Sequence, residues 1–156
     1  MIDPAKRLIV MRAVASMQQT QESSPFAELM DEVMATADTF GHREHVHLTW
    51  LAVRRYDTDT AVELVSDGIQ STARYAKIPW KYNATVSRAW VELVGHHARQ
   101  SGITDFDAFI HQYPELLDKK LLTRFYRSST LASPAARTGW VEPDIAPLPG
   151  KRSDNK

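Results

Sequence analysis

"FGHREHVHLTWLAVRRY", residues 40–56, is the stretch whose periodicity decides the fold. On a helix, Val46, Trp50, Val53 and Tyr56 fall on one stripe, at steps of four, three and three. A strand would need strict alternation of apolar and polar residues, which this stretch lacks. Extending the stripe backward by one turn reaches His42, with His45 and Thr49 beside it on the same face. His47 falls on another side, with Leu51 and Arg54. Glu44 is about 100 degrees from His45 around an ideal helix, so it need not join the histidines.

Outward from this segment the chain reads as helix after helix. Asp3-Pro4 starts a helix over 4–18, and Ser24-Pro25 starts another over 25–38, with Phe26, Leu29, Met30, Val33, Met34 and Ala37 at helical spacing. Asp57 to Thr60 caps a helix over about 59–76, with Val62, Val65, Ile69, Ala73 and Ala76 on one side. Pro79 in "KIPWKY" forces a loop or turn. Asn83 or Thr85 caps the next helix, which ends at Ser101-Gly102. Asp105 opens a short helix to Tyr113, Pro114 restarts the chain helically to about residue 127, and Ser133-Pro134 opens a last turn.

Beyond Trp140 the pattern stops. "VEPDIAPLPGKRSDNK" predicts an extended arm over 141–149 and disorder over 150–156, with Trp140, Val141 and Ile145 supplying apolar surface to lie on the body. The expectation is an all-α, single-domain bundle of five to seven helices over 1–140, followed by the arm and tail over 141–156.

Bulk composition agrees. The 156 residues are 43% hydrophobic and 24% charged, with 19 basic and 19 acidic side chains, a globular profile without the basic excess of a nucleic-acid binder. No cysteine is present, which excludes disulfides, thiolate metal sites and cysteine nucleophiles. No apolar run approaches the roughly 20 residues of a membrane span, and Arg12 interrupts the short run near the start. A cytoplasmic protein without membrane or nucleic-acid partners is expected; small bundles often pair, so a homodimer is a further expectation.

The second helix that bears on function is 83–100. Its stripe runs through Val86, Trp90, Leu93 and His97, with Asn83 one turn earlier, while Glu92 and His96 are spaced to pair. Two helices thus turn polar groups inward: His42, His45 and Thr49 from one, Asn83 and His97 from the other. Antiparallel neighbours would bring His97 to the histidine pair, and parallel neighbours would bring Asn83. Bundles build cofactor and ligand sites from such convergence. The plain alternative is a set of structural histidines bonded to carbonyls.

The residues expected to do acid–base chemistry are His42, His45 and His97, because imidazole titrates near neutrality. Thr49, Trp50, Tyr82, Asn83 and Trp90 are expected to hold the substrate. His42 and His45 form a His-x-x-His pair that offers two ligands to a transition metal, the metal-assisted alternative. A dimetal bundle would need Glu-x-x-His on two helices, and only Glu44 and His47 have that spacing. The chain has no Gly-rich phosphate loop, no Gly-x-Ser-x-Gly and no His-Glu-x-x-His. The reading is a small enzyme acting on a small organic molecule in a histidine-lined pocket; the alternatives are a binding protein using the same pocket and a helical partner subunit.

The stretches "FGHREHVHLTWL", "KYNATVSRAWVELV", "FIHQYPELLDKKLLTRFY" and "LASPAARTGWVEPD" cover most of 40–144. In that layout the chain resembles a set of small bacterial all-helical proteins that carry Tyr-His-Glu-Thr at the start of the second helix. Here the stretch is Tyr82-Asn83-Ala84-Thr85. The resemblance implies a site between the two helices. The departure removes a histidine and a glutamate from it: Asn83 retains hydrogen-bonding capacity, whereas Ala84 cannot transfer a proton.

Overall fold

The computed structural model describes residues 24–75, 77 and 82–149, and among them the only regular elements are helical. The elements are α1 (Pro25–Met34), α2 (His42–Arg55), α3 (Thr58–Tyr75), α4 (Ala84–Ser101) and α5 (Phe106–Gln112). Two 3-10 turns follow, Pro114–Leu117 and Lys119–Arg124, then the short helices α6 (Ser128–Leu131) and α7 (Pro134–Thr138). Among the described residues no helix is long and apolar enough to cross a membrane. The helix expected at 4–18, the Pro79 turn with Trp80, and residues 150–156 lie outside the described residues.

Capping chemistry sets most of the boundaries. Ser24, Asn83, Asp105 and Ser133 each accept a hydrogen bond from a backbone N–H in the first turn of the helix they precede. Gly102, at φ 67°, ends α4 in the left-handed conformation that glycine adopts without strain. Two expected helices are shorter. α1 stops at Met34 instead of 38, where Thr36, Asp38 and Thr39, poor helix formers, succeed one another. The expected helix over 114–127 is two 3-10 turns, separated at Asp118, whose extended backbone lets its carboxylate cap Lys120. α6 was not expected.

α2 is the central helix. Val46, Leu48, Thr49, Trp50, Leu51 and Ala52 are all buried, more than one stripe provides for. The excess arises because α2 is covered on several sides, by α1, α3, α4 and α5. Trp50 packs on Phe106 and Phe109 of α5 rather than facing α4, and His47 stacks on Phe106 at 4.2 Å with the rings 7° from parallel. The side expected to be less buried is therefore roofed by α5.

α2 and α4 run in the same direction. His42 packs on Trp90, Val53 lies beside Gly95, and Thr58, just past the end of α2, bonds Arg99. The partner numbers rise together, as only parallel helices allow. α3 runs antiparallel to α4, with Thr58 against Arg99 and Ser66 against Ser87. Glycine makes one further contact possible: a Cβ on Gly68 of α3 would lie 2.1 Å from the Phe26 ring of α1.

The arm after Trp140 lies on the body, with Trp140 packed against the core and Val141 held through its backbone, while Ile145 does not pack. Buried Thr85 donates to the Gly139 carbonyl at 2.6 Å and accepts from the Val141 amide at 3.0 Å. The Tyr126 hydroxyl donates to the Val141 carbonyl at 2.6 Å, and Asp144 accepts from the Arg127 amide and the Thr130 hydroxyl. Ile145, expected to pack, is 53% exposed; Leu148, at 2%, is the side chain that inserts.

A candidate small-molecule cleft beside α2 and α4

Parallel packing of α2 and α4 leaves an open-mouthed cleft of about 300 Å³ at their N-terminal ends. His42 and His45 line it from α2, Val86, Ser87 and Trp90 from α4, and Ile69 from α3. Tyr82 and Asn83 border it at the entry to α4, and Lys119 closes it from the second 3-10 turn.

Of the residues expected to form a site, the structure brings together His42, His45, Tyr82, Asn83 and Trp90. It does not bring His97, Thr49 or Trp50 to them. His97 lies two turns further along α4, because the helices are parallel. There its Nδ1–H donates to the Leu93 carbonyl at 2.9 Å, its ring packs on Tyr113 at 4.6 Å, and its Nε2 is 3.6 Å from Glu115. Thr49 is fully buried, and its hydroxyl donates to the His45 carbonyl within α2. Trp50 faces α5.

Several polar groups around the cleft are occupied in holding the fold. Asn83 caps α4 through its carbonyl, which accepts from the Val86 amide at 2.9 Å, and its amide nitrogen donates to the Leu131 carbonyl at 2.7 Å. Glu44 accepts from the Gly41 amide at 2.9 Å at the start of α2, so it is a cap rather than a proton partner for the histidines. Glu92, expected beside His96, bonds Arg88 at 2.8 Å, and that guanidinium lies over the Trp140 ring.

The two histidines differ. His42 Nε2 is 2.9 Å from the Leu116 carbonyl, which only an N–H can satisfy, so Nε2 carries the proton and Nδ1 is the acceptor of the neutral ring. Burial pulls the His42 imidazole below its ordinary pKa, and the Leu116 carbonyl partly counters this. His45 is enclosed more tightly: burial, then the neighbouring His42, push it down to about 4. Part of its surface still opens on the cleft, and its ring makes no hydrogen bond among the described residues. It contacts the Phe40 ring edge-on at 6.4 Å. At neutral pH the cleft thus holds two uncharged imidazoles, one fixed by a carbonyl and one without a hydrogen-bond partner among the described residues.

This donor set does not fit a transition metal. No group of three or more His, Cys, Asp or Glu side chains that could hold a metal ion occurs among the described residues. His42, whose Nε2–H donates to the Leu116 carbonyl, offers only Nδ1, so the His-x-x-His pair supplies at most two ligands, short of the three protein ligands a zinc-type site needs.

Sequence reasoning missed Lys119, Ile69, Val86 and Ser87 as cleft residues. Ile69 carried a signal, being on the α3 stripe. Lys119 had none, because its position depends on the 3-10 turns. No protein-family model, curated protein or solved structure matches the chain.

Proposed function

We propose that the protein binds a small organic molecule in the cleft between α2, α3 and α4, with His45 as the group that exchanges a hydrogen bond or proton with it. The observation that carries this reading is the convergence of His42 and His45 on one cleft, with His45 lacking a protein hydrogen-bond partner among the described residues. The His45 ring nitrogens reach the open cleft, where a ligand can supply a hydrogen-bond partner. Ile69, Val86 and Trp90 form an apolar wall for the body of the ligand, while the imidazoles face its polar end. The resemblance noted above implies a site between the same helices.

A neutral imidazole both donates and accepts, so the same arrangement suits proton transfer on the bound molecule. That catalytic form is the second reading, favoured by the unbonded His45 ring. Used-up partners at Asn83 and Glu44 favour binding as the first.

A fragment screen by thermal shift tests the reading. Fragments that stabilise the wild-type protein are expected to lose most of that effect on His45→Leu, because stabilisation by a ligand scales with RT ln(1 + [L]/Kd). Equal stabilisation of both proteins by every hit would show that the fragments bind elsewhere.

A further inference from the structure

The side chains that line the cleft carry charge of one sign. Among the described residues that line it, none is acidic, and Lys119 is the cation. Lys119 is exposed at the cleft edge, and no carboxylate pairs with it among the described residues. Its charge is felt by His42, and so is the opposite charge of Asp118, which caps the Lys120 amide and does not line the cleft. The same cleft has an apolar lining from Ile69, Val86 and Trp90. The volume of about 300 Å³ is at the small end of ligand pockets.

We infer that the cleft takes a small organic anion, a one-ring monocarboxylate whose carboxylate meets Lys119 and the His45 N–H while its ring lies on Ile69, Val86 and Trp90. This rests on the reading that the cleft is a small-molecule site, and it adds the class of molecule. An organic cation would face Lys119 with no carboxylate to receive it. A neutral molecule would leave the ammonium without a counter-charge. A carboxylate accepts from the ammonium, and from any imidazole N–H turned to it, as a charge-assisted acceptor. No covalent step is involved.

The test uses the full chain and three probes: benzoate, cyclohexanecarboxylate and the uncharged benzamide. Binding is followed by calorimetry and by the imidazole signals of His42 and His45, with wild-type protein and Lys119→Met. Lys119 is exposed, so its replacement leaves the core intact. The expected result is that both acids bind and shift the two imidazoles. Benzamide should bind about tenfold more weakly, and Lys119→Met should weaken the acids about fivefold without affecting benzamide. Equal binding of benzoate and benzamide, with no effect of Lys119→Met, would overturn the anion assignment alone. Acids that shift only signals remote from the cleft, or no binding by any probe at millimolar concentration, would overturn it too. The small-molecule reading itself is decided by the fragment screen and the His45→Leu variant.

Discussion

His45 couples the cleft to stability. Its imidazole is pushed down to about 4 in the folded chain, against an ordinary value of 6.5 when unfolded. Between those values the unfolded chain binds the proton and the folded chain does not, so stability falls as pH drops from about 6.5 toward 4. Going from pH 7 to 5 this group contributes a loss of up to about 2 kcal/mol, less whatever solvent screening at its partly open ring removes. His42 and His47, both lowered by burial, act in the same direction. Urea unfolding at the two pH values should show a shallower loss for His45→Leu than for wild type; parallel losses would mean that His45 titrates as an exposed histidine does. At Thr85 a nearly isosteric change tests the arm clamp. Thr85→Val removes the acceptor of the Val141 amide and the donor to the Gly139 carbonyl, and should cost about 1–3 kcal/mol in the same assay.

Two glycines separate propensity from packing at the scale of elements. Alanine is about 1 kcal/mol better than glycine inside a helix. Gly95→Ala in α4 places a Cβ 3.5 Å from Val53, an ordinary contact, and 3.2 Å from the tip of Arg99, a flexible side chain that can move. It should be neutral or slightly stabilising. Gly68→Ala in α3 places a Cβ inside the Phe26 ring, so α1 must shift, and a loss of about 1–3 kcal/mol is expected despite the better propensity. Thermal unfolding of the pair checks the contrast in sign. The helices themselves were legible in the sequence where stripe and cap agreed: Ser24-Pro25 for α1, Asn83 and Gly102 for α4. They were illegible where tertiary contacts decide. Nothing local says that α5 roofs His47 and Trp50, and nothing in "PELLDKKLLTRFY" distinguishes two 3-10 turns from one helix. The candidate site divides in the same way. Periodicity turned His42 and His45 inward, but helix direction decided that Asn83 rather than His97 joins them. A stripe carries no information on direction.

For the whole molecule, the parallel α2–α4 pair creates the cleft, and the C-terminal arm closes the body. The arm is held by Thr85 from α4, by Tyr126, and by Leu148 at 2% exposure. Leu148→Ala should therefore destabilise the protein by about 2–4 kcal/mol, as an interior leucine does, although it lies in a proline-rich stretch that reads as a loose arm. Urea unfolding measures this, and a change below a few tenths of a kcal/mol would mean the arm is not part of the folded unit.

The central claim is that one cleft holds two neutral imidazoles of different status, His42 fixed by a carbonyl and His45 without a hydrogen-bond partner among the described residues. The most direct measurement is a pH titration of the imidazole nitrogens and protons by NMR, with His42→Gln and His45→Gln variants assigning the signals. The account predicts that His42 in its neutral form carries its proton on Nε2, and that His45 stays neutral until the pH nears 4. A His45 signal titrating near 6.5, or a His42 ring protonated on Nδ1, would contradict it.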